Sequence, residues 1–167
     1  MSLQSFRQLV RDWLALLIIG LLIRIMTKKA SDTITENFKF SEFDAPNDLK
    51  VRGNIRRLVE NVLQPLRDSI KLPIIITSGF RDEQTNTRVK GVKNSHHLTG
   101  QGADFIVRGA SLSDVFNTIQ ALKLPFNELI LYREGSRSAT GHIHVSYISP
   151  EKNSGRVFIT ESNYKRK

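Results

Sequence analysis

All four histidines of the 167-residue chain fall in two places, His96-His97 and His142/His144. The first pair opens the run His96-His97-Leu98-Thr99-Gly100-Gln101-Gly102-Ala103-Asp104, in which a carboxylate follows His97 by seven residues. Gly100 and Gly102 give the backbone freedom to turn, so both side chains can face one point. The second pair lies in Gly141-His142-Ile143-His144-Val145-Ser146. Period-2 alternation there puts His142, His144 and Ser146 on one strand face and Ile143, Val145 and Tyr147 on the other. Two imidazoles and one carboxylate are a standard catalytic zinc set, with the fourth position left to a water that the metal acidifies. The alternative is four histidines hydrogen-bonded as ordinary surface or core residues. Cysteine is absent, which excludes thiolate metal sites, thiol catalysis and disulfides.

The surrounding pattern supplies elements to carry these residues. Ile55, Leu58, Val59, Val62, Leu63 and Leu66 recur at helical spacing, which predicts an amphipathic helix over Asn54–Arg67 that Pro65 kinks or ends. Pro73 opens a β-branched strand, Ile74–Thr77, closed by Ser78-Gly79. A short helix is expected over Asp82–Val89, a loop over Lys90–Asn94 and a strand over Ala103–Val107. Ser111 or Ser113 can cap a helix with inner face Leu112, Val115, Phe116, Ile119 and Leu122. Two further strands, Glu128–Tyr132 and His142–Ile148, flank a polar loop of nine residues, Arg133–Gly141. The irregular interleaving with hairpin-like spacing at the end predicts an α+β fold with a small, mostly antiparallel sheet packed with helices.

The run Ser95-x-His97-x-x-Gly100-x-Gly102-x-Asp104 resembles the S-x-H-x-x-G-x-A-x-D signature of the zinc D-Ala-D-Ala carboxypeptidase family. That family includes L-alanyl-D-glutamate endopeptidases and shares its fold with the Hedgehog signalling domain. Gly102 stands where the family has Ala. The resemblance extends to Leu63–Arg67, Thr77-Ser78-Gly79-Phe80-Arg81, Lys93-Asn94 and His144-Val145-Ser146, and spans about Phe38 to Pro150. It implies that His97, Asp104 and His144 bind Zn2+, and that Arg81 and Ser95 face substrate, Arg81 by steering a carboxylate or carbonyl with bidentate donors. Many relatives carry a Glu base three residues before the last zinc histidine, where this chain has Gly141. His142, which shares a strand face with His144, is the first substitute, and Glu134 in the adjoining loop is the second. Asp82, Glu83 and Glu128 read as ordinary surface or capping acids.

The implied activity is zinc-dependent hydrolysis of peptidoglycan stem peptides next to a D-residue, with a non-catalytic zinc-containing module of a virion or envelope as the alternative. The formal net charge of +9 is spread along the chain, and only Lys165-Arg166-Lys167 is a basic run. No nucleic-acid readout is therefore expected; the charge suits anionic surroundings such as a wall or lipid surface. Trp13–Ile23 is an uncharged apolar run of 11 residues, extendable over residues 9–26 if Arg24 snorkels. It is shorter than the roughly 20 residues that a bilayer core needs, so a membrane-surface anchor or an apolar partner is expected there. These readings divide the chain into a hydrophobic helix (1–29), a linker (30–37), a zinc peptidase-like domain (38–150) and a basic extension (151–167). They place the protein at a membrane or envelope, or in a virion, with its catalytic domain facing the wall.

Overall fold

The computed structural model describes residues 3–26, 31–134 and 141–162. The chain forms two compact units, Met1–Ser31 and Asp32–Lys167. The first contains helix α1 (Leu3–Met26), whose described apolar side chains, Trp13, Leu14 and Leu16 to Ile19 among them, are exposed. No described helix is long and apolar enough to cross a membrane.

The second unit opens where the sequence predicts a linker. Ile34 is buried, Thr33 bridges Lys39, and Asp32 accepts hydrogen bonds from the Ser41 backbone N–H (3.0 Å) and hydroxyl (2.7 Å). Helix α2 (Leu49–Leu58) begins five residues before the predicted start because Asp48 caps it, accepting from Val51 N. It continues through a π-helical turn, Val59–Leu63, into α3 (Gln64–Ile70), with Pro65 in the first turn of α3. Proline has no N–H to donate, and the widened turn absorbs it: Gln64 N–H donates five residues back, to the Val59 carbonyl. The predicted helix is thus continued rather than broken.

The sheet has strand order β1-β2-β4-β3-β5, formed by Ile74–Ser78 (β1), Gly102–Val107 (β2), Glu128–Glu134 (β3), Gly141–Ser146 (β4) and Arg156–Ser162 (β5). The first four strands are antiparallel neighbours, as expected, whereas β5 runs parallel to β3, so the sheet is mixed. Residues 156–162 of the basic extension therefore pair with the sheet. Helix α4 (Glu83–Arg88) is capped by Asp82, and α5 (Leu112–Ala121) by Ser111. Leu112, Val115, Phe116 and Ile119 of α5 are buried; Leu122, expected on the same face, lies beyond the helix end and is exposed. Helix α5 packs against β2, β3 and β4. Alternation along the strands sends Ala103, Phe105, Leu129, Leu131, Ile143 and Val145 into the core. The opposite face carries the polar row Ser78, Asp104 and His144 across three adjacent strands.

Candidate metal centre and active site

His97 sits in a short 3-10 turn, His96–Thr99, opened by Ser95, whose hydroxyl accepts from His97 N at 3.3 Å. Gly100 closes the turn with φ 70°, and the chain re-enters β2 at Gly102. The turn is tied to the β1–α4 connection, because Arg81 N–H donates to the His97 carbonyl at 3.1 Å. His97 Nδ1 lies 2.6 Å from the Gly79 carbonyl oxygen. A carbonyl only accepts, so the imidazole proton is on Nδ1 and Nε2 keeps its lone pair.

That lone pair points into a cluster. His97 Nε2 is 3.2 Å from Asp104 Oδ1 and 3.2 Å from His144 Nδ1, and His144 Nδ1 is 2.8 Å from the same Asp104 oxygen. All three residues are buried. Burial alone would raise the Asp104 carboxyl, but the His144 and His97 imidazoles beside it outweigh burial and hold the group well below the usual carboxylate range. A lone pair facing a carboxylate oxygen at this distance is repulsive unless a proton or a cation lies between them. Donor atoms 2.0–2.1 Å from a tetrahedral zinc stand roughly 3.3 Å apart, close to the separations seen here. The donor set fits a divalent cation of the zinc type.

The other Asp104 oxygen, Oδ2, accepts from Arg81 Nη2 at 2.5 Å, and Arg81 Nε donates to Ser78 Oγ at 2.8 Å. Arg81 thus braces the carboxylate and keeps further N–H groups for a ligand. His142 Nε2 is 4.0 Å from Asp104 Oδ2, with the side chain 33% exposed. Its ring stacks on Tyr132, its cross-strand partner, at 4.7 Å between centroids and 21° between planes. Burial is the main force lowering the His142 pKa, with the charges of His144, Arg81 and His97 adding and Asp104 opposing. A neutral imidazole at neutral pH is what a proton acceptor requires. Burial also pushes the Tyr132 phenol up, aided by Asp104 and Glu128.

The structure brings His97, Asp104, His144, Arg81 and His142 to one point and turns Ser95 to the backbone of the site's own turn. The Glu134 side chain and loop residues 135–140 lie outside the described residues. Asp82 is a helix cap, as read from the sequence. Glu128 is not an ordinary surface acid: only 18% exposed, it pairs with His96 and Arg156. Tyr132 carries no local signal in the sequence; its place opposite His142 follows from the hairpin register.

The family description peptidase M15 matches residues 29–146. The chain belongs to the peptidase M15 family. No curated protein matches it. Membership makes the chain a peptidase by family, and its buried His/Asp group is a site at which an M15 peptidase could hold zinc. The M15 match stops at Ser146, short of β5.

Proposed function

We propose that the chain is a zinc peptidase that hydrolyses peptidoglycan stem peptides, as a carboxypeptidase or endopeptidase, at a bond next to a D-residue. The observation that carries this reading is the convergence of His97 Nε2, Asp104 Oδ1 and His144 Nδ1 within 3.2 Å of one another, beside a half-buried His142 whose pKa burial lowers. Zinc held by the three residues would polarise the scissile carbonyl and acidify a water.

The chain's own groups do the rest. His142 accepts a proton from the attacking water as the O–C bond forms, then returns it to the amine nitrogen as the C–N bond breaks. The Tyr132 ring holds His142 in plane against the site. Arg81 fixes Asp104 and offers its remaining N–H groups to a substrate carboxylate or carbonyl. The usual family carboxylate has no place at position 141: φ there is 140°, and a Cβ would run into the Tyr132 carbonyl. Gly141 is therefore built into the hairpin, which supports His142 as the base.

The exposed apolar surface of α1 supports attachment to a membrane surface or an apolar partner through residues 9–26, which keeps the enzyme at the envelope near its substrate. Digestion of purified peptidoglycan with and without chelator, read by fragment mass, tests the function. Chelator-sensitive release of stem-peptide fragments is expected. Zinc-loaded protein that releases none would instead be a non-catalytic module, the reading that the missing carboxylate at position 141 favours.

A further inference from the structure

Glu128 has no part in the chemistry above, yet it lies beside it on the same sheet face. Its Oε1 accepts from Arg156 Nη2 of β5 at 2.5 Å, and its Oε2 is 3.3 Å from His96 Nδ1. The other ring nitrogen of His96 is 3.3 Å from Asn127 Nδ2. Asn127 Oδ1 is engaged as acceptor by Ser154 N (3.3 Å) and Ser154 Oγ (3.0 Å), so its Nδ2 must donate to His96 Nε2. Neutral His96 then carries its proton on Nδ1 and donates it to Glu128. The chain Ser154, Asn127, His96, Glu128, Arg156 is satisfied at each link, which makes it a hydrogen-bonded scaffold and not a second cation site.

His144 borders this scaffold. A ring nitrogen of His144, one of His96 and a carboxylate oxygen of Glu128 lie within 4.8 Å of one another. Gly102 leaves the room: a Cβ there would stand 3.0 Å from both His144 Cε1 and His96 Cβ. We propose that Glu128 is the positioning residue behind His144, anchored by Arg156, so that the C-terminal strand β5 is a working part of the metal site. The inference rests on the zinc reading above. When Nδ1 of His144 ligates, its proton must sit on Nε2, and a carboxylate beside the ring favours that tautomer and fixes the ring's orientation. Arg156 holds the Glu128 carboxylate in place. β5 lies past the M15 match, so the family pattern alone does not predict this dependence.

The test compares wild type, Glu128→Gln, Arg156→Gln and the double variant by zinc competition against a chelator and by the visible spectrum of the Co2+-loaded proteins. Glu128→Gln preserves shape, and Arg156 is half exposed, so neither substitution opens the core. Glu128→Gln is expected to weaken zinc binding by roughly 10–100-fold, the usual effect of losing such a partner, and to shift the Co2+ spectrum. Arg156→Gln should weaken binding less, and the double variant should be no worse than Glu128→Gln alone, because Arg156 acts through Glu128. Wild-type zinc affinity and an unchanged Co2+ spectrum in Glu128→Gln would overturn the inference while leaving the zinc reading intact. Simple addition of the two losses would overturn the role of Arg156. A wild-type chain that binds no zinc defeats the zinc reading itself.

Discussion

Asp104 and His144 are direct cross-strand partners on β2 and β4, and the pairing sets Asp104 Oδ1 2.8 Å from His144 Nδ1. Two proposed ligands 40 residues apart are thus placed by backbone register alone. A one-residue slip of β4 would turn His144 into the core and bring Ile143 or Val145 to the site. Ser78 extends the row on β1, where its hydroxyl accepts from Arg81 Nε and so steadies the guanidinium whose Nη2 braces Asp104.

His142→Ala should keep its zinc and lose about 10²–10⁴ in kcat, the range that general acid–base catalysis contributes. Glu134→Ala should lose much less. Tyr132→Phe retains the stacked ring and should stay near wild type, whereas Tyr132→Ala frees His142 and should lower kcat with little change in KM. Steady-state kinetics on a stem peptide, with zinc content measured in each variant, checks the set.

Gly141→Glu restores the residue type found in many relatives yet should not raise activity. The left-handed φ of 140° and the blocked Cβ position make the substitution costly, on the order of 1–3 kcal/mol for the strained backbone alone. A melting curve should show a lower midpoint, and the kcat of His142→Ala should not recover in the double variant. Recovery would assign the base to a carboxylate after all.

Stability should fall in acid through two hydrogen-bonded carboxylates. Asp82 is lowered from its ordinary 3.8 chiefly by the Thr85 backbone N–H, and Asp32 chiefly by the Ser41 hydroxyl. A depressed folded pKa means that the unfolded chain binds the proton more tightly, so the stabilisation is full above about pH 4–5 and fades as the pH drops through the folded values. Denaturant midpoints from pH 7 down to pH 3 should therefore decline less in Asp82→Asn and Asp32→Asn than in wild type.

The boundary at Asp32 makes a prediction about truncation. A chain beginning at Ser31 should fold with its sheet intact. One beginning at Thr35 loses buried Ile34 and the Asp32–Ser41 bonds, and should be less stable by roughly 2–4 kcal/mol. Chemical denaturation of the two chains measures the difference.

Much of the site could be read from local signals. The H-x6-D spacing, the His142/His144 alternation and the S-G-F-R turn each lie within a few residues, and the structure gathers them at one point. What escaped the sequence depends on contacts between distant segments. Val157, Ile159 and Thr160 are good strand residues, but nothing local shows that Arg156–Ser162 pairs in parallel with β3. Without that pairing Glu128 has no Arg156 and looks like any surface acid. Tyr132 needs the β3–β4 register to find His142, and Ile34 looks like part of a linker until the Thr33–Lys39 bridge folds it inward.

The most direct test of the account is the zinc content of purified wild-type and Asp104→Ala protein after reconstitution and removal of free metal. About one zinc per wild-type chain is expected, since the three donors fit one tetrahedral ion, and almost none in Asp104→Ala, with Asp82→Ala retaining the wild-type amount. Wild-type protein holding less than about a tenth of an equivalent, or Asp104→Ala holding as much as wild type, would contradict it.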